Sequence, residues 1–123
     1  MLHAKSHNPK TYLGVDLSES AVKQAQKNNP DFNFITTESF WKLNETYDII
    51  VLAEVLYYLD YKEHMRRIEK YLKKDGIYIV SVYKSWRSKL IRWHLKRKYA
   101  TTKEATISSK TMSWTVLVLQ KHA

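Results

Sequence analysis

The 123-residue sequence predicts an α/β fold, a mixed layered sheet that ends in an antiparallel hairpin. Three observations carry this expectation. Short β-rich runs alternate with amphipathic helical runs along most of the chain, the pattern of strands joined by crossover helices. The run 48–53 (DIIVLA) is continuously apolar, as expected of a strand covered on both faces, and is the candidate for the sheet centre. The last two β-rich runs, 105–109 and 113–120, follow each other across a short turn and read as a hairpin closing the sheet edge. Length and an apolar content of 44% suit one domain spanning residues 1–123, with little core to spare.

Taken in order, Thr11 to Asp16 (TYLGVD) is a short strand, and Ser18 is placed to cap a helix from Glu19 to Asn28, whose Ala21, Val22 and Ala25 share one face. Asn29-Pro30-Asp31 ends that helix, because proline lacks the amide hydrogen a helix needs. Phe32 to Thr36 reads as a second strand and Glu38 to Asn44 as a loop or short helical turn. Beyond the apolar run, Tyr61, Met65, Ile68 and Leu72 recur at i, i+4, i+7 and i+11, which predicts a helix from Tyr61 to Lys73. Asp75-Gly76 stops it and opens a strand from Ile77 to Tyr83.

The segment 84–98 (KSWRSKLIRWHLKRK) is a basic helix in a chain of net charge +9. Such a charge run suits an anionic partner, a nucleic acid or a membrane surface. The reading preferred on spacing is a solvated helix whose Trp86, Leu90 and Trp93, at i, i+4 and i+7, pack inward. Nucleic acid and membrane are accordingly not expected as partners.

Composition excludes several classes. The chain has no cysteine, so neither a disulfide framework nor a thiolate metal site can form. The five histidines are scattered, without the i, i+4 spacing that puts two ligands on one helical face, and no metal is expected. Nothing resembles a signal peptide or a membrane-spanning run, and the expected location is the cytoplasm.

Three segments carry a resemblance in the same order. Tyr12-Leu13-Gly14-Val15-Asp16-Leu17-Ser18 is similar to the second-strand motif of class I S-adenosylmethionine methyltransferases; the residues from Tyr47 to Leu59 (YDIIVLAEVLYYL) resemble the fourth-strand motif, and Gly76 to Tyr83 the fifth strand. The resemblance implies a truncated Rossmann-like, methyltransferase-type sheet with Asp16 on the ribose hydroxyls, a task that suits an acceptor-only carboxylate. The family's glycine-rich loop has no counterpart among the two glycines, Gly14 and Gly76. Among small proteins that consume S-adenosylmethionine without a methyl acceptor, the chain resembles the phage-encoded S-adenosylmethionine lyases, formerly called hydrolases. That likeness implies S-adenosylmethionine as substrate rather than cofactor, cleaved at Cγ–S by its own carboxylate to methylthioadenosine and homoserine lactone. It also implies a host-cell cytoplasmic location and a homo-oligomer, with a trimer favoured and sites near subunit boundaries. The alternatives are a reduced small-molecule methyltransferase and a non-catalytic module binding nucleic acid or a partner.

Position supplies the remaining candidates. Tyr57 and Tyr58 follow the apolar strand at the carboxyl edge, where open α/β sheets bind ligands; Tyr58 is the catalytic candidate, offering a ring face to a sulfonium and a hydroxyl to a carboxylate, and Tyr57 is assigned to binding. Glu54 ends the same strand and is a binding candidate. Glu69 borders the apolar stripe of its helix and would pair with the substrate ammonium or, under a hydrolytic view, activate water. An ion pair with Arg66 or Lys73 is the structural alternative for Glu69.

Overall fold

A computed structural model describes residues 12–56 and 60–121, which form two compact units divided between Asn44 and Glu45. Tyr57 and Tyr58 lie outside the described residues.

The first unit is a βαβ element: β1 (Leu13–Asp16), α1 (Glu19–Asn28) and β2 (Asn33–Thr36), followed by the single turn α2 (Thr37–Phe40). The strands pair in parallel, Gly14 opposite Phe34 and Asp16 opposite Thr36. Gly14 is required by packing, because a Cβ there would stand 2.3 Å from the Phe34 ring. The Tyr12 ring meets Phe32 and Phe34 edge-on, at centroid separations of 5.2 and 6.0 Å. As the spacing predicts, α1 starts at Ser18, whose hydroxyl accepts from the Ala21 amide at 3.2 Å. Its far end is tied to β2 by the Gln26 amide, which donates to the Phe32 carbonyl at 2.8 Å.

The second unit holds β3 (Tyr47–Ala53), α3 (Tyr61–Ile68), a 3-10 turn (Glu69–Tyr71), β4 (Leu72–Tyr83), α4 (Trp86–Lys98), β5 (Ala100–Ser108) and β6 (Ser113–Gln120). The strand order is β3-β4-β6-β5, with β3 and β4 parallel and the other pairs antiparallel. The expected mixed sheet with its terminal hairpin is therefore present. Alternation along the strands sorts side chains onto two faces. Tyr78, Val80, Val82, Leu117 and Leu119 point to one face and are fully buried, as are Met65 and Ile68 of α3 and Ile91 and Leu95 of α4. Burying each such side chain stabilises the fold by about 1.5–3 kcal/mol, so this layer is the core.

Three expectations are corrected here. Among the described residues the run 48–53 does not take the sheet centre: β3 stands at the edge of the order β3-β4-β6-β5, and Ile49 and Val51 are 54% and 37% exposed. Its continuous hydrophobicity reports a second apolar face, which the described residues leave uncovered; in register with it lie Ile77 and Ile79 on β4 and Val116 and Val118 on β6.

The helix predicted to reach Lys73 ends at Ile68, and β4 begins at Leu72. The Lys121 ammonium donates to the carbonyls of Glu69 and Leu72 at 2.8 and 2.9 Å, so a cation from the far end of the chain takes up carbonyls at the helix terminus. Leu72 keeps its buried place, but as the first residue of a strand. Between Leu72 and Ile77 the ladder bulges, and Gly76 passes so close to β3 that a Cβ would lie 2.8 Å from the Asp48 carbonyl oxygen.

The third correction concerns α4, where Trp86, Leu90 and Trp93 face outward at 80%, 61% and 57% exposure. The inward stripe is Ser88, Ile91 and Leu95, at i, i+3 and i+7. Ser88 tolerates full burial because its hydroxyl is saturated locally: it accepts from the Ser85 amide at 2.9 Å and donates to the Ser85 carbonyl at 3.0 Å within a capping box.

Candidate functional site

Parallel strands expose their carboxyl ends to ligands in open α/β sheets, so each unit is considered at that edge. In the first unit β1 ends at Asp16, which is exposed. Its Oδ1 accepts from the Ser18 amide at 2.9 Å, an Asx-type turn that fixes the carboxylate beside the start of α1. The second carboxylate oxygen gives this corner acceptor capacity toward a hydroxyl-bearing ligand.

In the second unit the carboxyl end of β3 runs into Glu54, the one non-glycine residue with positive φ among those described, at 58°. A left-handed backbone costs a side-chain-bearing residue about 1–2 kcal/mol, and such outliers concentrate at ligand sites. The conformation is imposed from both ends. The Glu54 amide still donates to the Ser81 carbonyl at 3.1 Å, extending the ladder by one step, and the Ser81 hydroxyl lies 3.5 Å from Glu54 Oε2. The half-buried carboxylate is thus turned back over the end of β4. Ser81 is a contributor absent from the candidates that the sequence suggests. Its signal was the single polar residue in the run IYIVSVY.

The described residues do not bring Glu69 to this edge. It sits in the 3-10 turn preceding β4, at the amino end of the parallel pair, whereas Glu54 follows the carboxyl end. The pairs Tyr47–Leu72 and Ala53–Ser81 mark the two ends, six β3 residues apart, or about 20 Å of strand. Glu69 pairs with Lys98 at 3.8 Å, while Arg66 is held by Glu63 and Lys73 by Asp48 at 3.4 Å. Behind Glu69 lie two buried tyrosines, Tyr78 and Tyr99, with ring centroids 5.4 Å apart. Burial, reinforced by the Glu69 charge, pushes the Tyr99 phenol up to about 12. Burial raises Tyr78 as well, with the neighbouring Tyr99 and Glu69 adding to it.

Beyond the carboxyl end of β4 a shallow cleft is lined by Tyr83, Lys84, Trp86, Lys89 and Met112. Among the described residues no three acidic or histidine side chains are grouped to hold a metal. No helix among them is long and apolar enough to cross a membrane.

Comparison with known proteins follows the same lines. A family model described as a methyltransferase domain matches residues 1–116. No curated protein matches by sequence. Among solved structures, a TehB-like SAM-dependent methyltransferase from Corynebacterium glutamicum superposes with TM-score 0.63 at 17% identity, covering 89% of this chain and 67% of the other. A ribosomal protein methylase from Lactobacillus delbrueckii subsp. bulgaricus gives 0.71 at 18% identity, covering 93% and 59%. Magnesium protoporphyrin IX methyltransferase from Synechocystis, with bound SAH, gives 0.66 at 14% identity, covering 89% and 64%. At these identities the likeness is one of fold, and the chain spans 59% to 67% of the length of these three proteins.

Proposed function

This chain belongs to the methyltransferase domain family, and we propose that it binds S-adenosylmethionine and serves methyl transfer from it. The observation that carries the reading is Glu54: a carboxylate in a strained left-handed backbone at the carboxyl end of a parallel strand, its amide held by the Ser81 carbonyl. Strain of this kind persists where the surrounding structure over-determines it, and the strand end is where an α/β fold keeps its ligand. Asp16 is assigned to the ribose hydroxyls and Glu54 to a donor group of the ligand or of the methyl acceptor. Tyr57 is assigned to binding as well.

The chemistry asked of the protein is modest. The sulfonium is already activated, and the methyl carbon moves in line from sulfur to the acceptor lone pair as the S–CH3 bonding pair returns to sulfur. Holding donor and acceptor in contact can supply several kcal/mol of the barrier, on the order of 7–11 for well-oriented pairs. An acceptor that carries a proton must also lose it, and a carboxylate such as Glu54 is the type of group that takes it.

A second reading, cleavage of S-adenosylmethionine by its own carboxylate, is favoured by the uncovered apolar face of the second sheet, where Ile49 is 54% exposed and Ile107 58%. A second copy of the chain would cover such a face, and a symmetric oligomer, a trimer by analogy, would let Glu69 of one copy serve a neighbour. In that arrangement Tyr58 and Glu69 position the methionine moiety and no acceptor is needed. Both readings use a ligand of the cell interior and assign the chain to the cytoplasm.

Product analysis separates them. Incubated with S-adenosylmethionine, methyl transfer yields S-adenosylhomocysteine only when an acceptor is added. Methylthioadenosine and homoserine lactone formed without acceptor would overturn the methyl-transfer reading in favour of the second.

A further inference from the structure

Helix α4 carries two apolar stripes, and only one of them is used by the core. Ser88, Ile91 and Leu95 are buried. On the opposite side Trp86, Leu90 and Trp93 stand in line at i, i+4 and i+7, 80%, 61% and 57% exposed. At 100° per residue the next position on that line is Arg97, whose guanidinium lies over the Trp93 ring at 4.9 Å from its centroid. Lys89 and Lys96 flank the ridge on one side, Arg87 and Lys98 on the other. Two of these cations meet carboxylates, Lys96 with Glu104 at 2.7 Å and Lys98 with Glu69 at 3.8 Å. Both carboxylates lie outside the stretch 84–103, which contains no acidic residue. The ridge continues at its amino end into the cleft, where Trp86 is joined by Tyr83, Met112 and the amines of Lys84 and Lys89.

Leaving two tryptophans and a leucine in water is costly, since their apolar surface gains on burial. A convex apolar ridge bordered by cations fits a surface that is apolar just below an anionic layer. We infer that α4 is a docking helix for an anionic lipid bilayer, lying in the plane of the interface with Trp86, Leu90 and Trp93 inserted among the headgroups and the flanking lysines and arginines on the phosphates.

Two features favour lipid over nucleic acid. The middle of the ridge is aliphatic, and Leu90 gives no platform on which a base can stack. The tryptophans are seven residues apart, about 10 Å along the helix, and stand on a ridge rather than in a groove that follows a phosphate backbone. Tryptophan is at home in the interfacial layer, and each lysine or arginine near an anionic surface strengthens binding about fivefold. Docked in this way, the cleft beyond β4 faces the headgroups.

The test is flotation of the full chain with vesicles of phosphatidylcholine alone and of phosphatidylcholine containing about one-third phosphatidylglycerol. Binding is expected to the anionic vesicles, to weaken as salt rises, and to be slight on the neutral ones. Replacing Trp86, Leu90 and Trp93 together by alanine should weaken binding by at least about 30-fold with the circular dichroism spectrum unchanged. A separate pair, Lys84→Glu with Lys89→Glu, should weaken it about 25-fold or more while leaving the apolar ridge intact. The proposal is overturned if the wild-type chain stays with the unbound fraction, if both variants float like wild type, or if single-stranded oligouridine is bound tightly while anionic vesicles are not.

Discussion

Glu54 offers the sharpest test of the site because its backbone and its carboxylate can be perturbed separately. Replacing it by alanine and by glycine removes the carboxylate in both cases, so any difference between the two variants reports the backbone alone. At φ 58° alanine keeps the left-handed strain, about 1–2 kcal/mol, and glycine is relieved of it. Against this, glycine loses about 0.5–1 kcal/mol through the larger freedom of the unfolded chain. The balance makes Glu54→Gly more stable than Glu54→Ala by about 0.5–1 kcal/mol, or roughly 2–5 °C in melting temperature for a chain of this size. The contact with the Ser81 hydroxyl at 3.5 Å is long and contributes little to either comparison. Calorimetric melting with urea titration reads the stability difference, and titration with S-adenosylmethionine reads function. Both variants should bind at least about tenfold more weakly than wild type, consistent with loss of a charge-assisted hydrogen bond. An alanine variant as stable as the glycine variant would refute the strained backbone. Wild-type affinity in both would remove Glu54 from the S-adenosylmethionine contacts.

Other perturbations follow from the same geometry. Gly76→Ala should cost about 2–3 kcal/mol and Gly14→Ala about 1–2, because the new Cβ meets a backbone oxygen at 2.8 Å in the first case and a ring that can shift in the second; urea unfolding gives both numbers. Ser85→Ala opens the capping box of α4 and should lower stability by about 1 kcal/mol, measured in the same way. Tyr99, buried and raised to about 12 from 10.0, stays protonated in the folded chain at pH values where the unfolded chain ionises. Its stabilising contribution is therefore complete below pH 10 and is lost as pH rises from 10 towards 12. Tyr99→Phe should flatten this alkaline decline, and an unchanged pH profile would show that the phenol is not shielded.

How much of this was legible in the sequence differs from element to element. The cap at Ser18, the stop at Pro30 and the turn of the closing hairpin depend on local chemistry, and all three are where the spacing puts them, although the first hairpin strand starts at Ala100 rather than at 105. Asp16 and Glu54 could be placed at strand ends for the same reason. What the sequence concealed depends on contacts distant along the chain. Leu72 continues the helical phase of Tyr61, Met65 and Ile68, yet the helix ends before it, where Lys121, about 50 residues away, takes up the carbonyls of Glu69 and Leu72. The position of Glu69 at the amino end of β4 was lost with the same boundary. In α4 hydrophobicity alone favours the stripe Trp86, Leu90 and Trp93, because serine counts as polar, and only the capping box shows why Ser88 can be the buried member. For β3, a run apolar on both faces suggests a central strand, whereas it records a face that the described residues do not cover.

The central claim is that a family-type S-adenosylmethionine site is present, with Asp16 among its ligands. Calorimetric titration of S-adenosylmethionine into the wild-type chain and into Asp16→Ala tests it most directly. Saturable binding to the wild type, weakened at least about tenfold by a substitution that costs the fold no more than the Asx-turn hydrogen bond, about 0.5–1 kcal/mol, is the predicted result. Absence of binding to the wild-type chain, or equal affinity in the two, would contradict it.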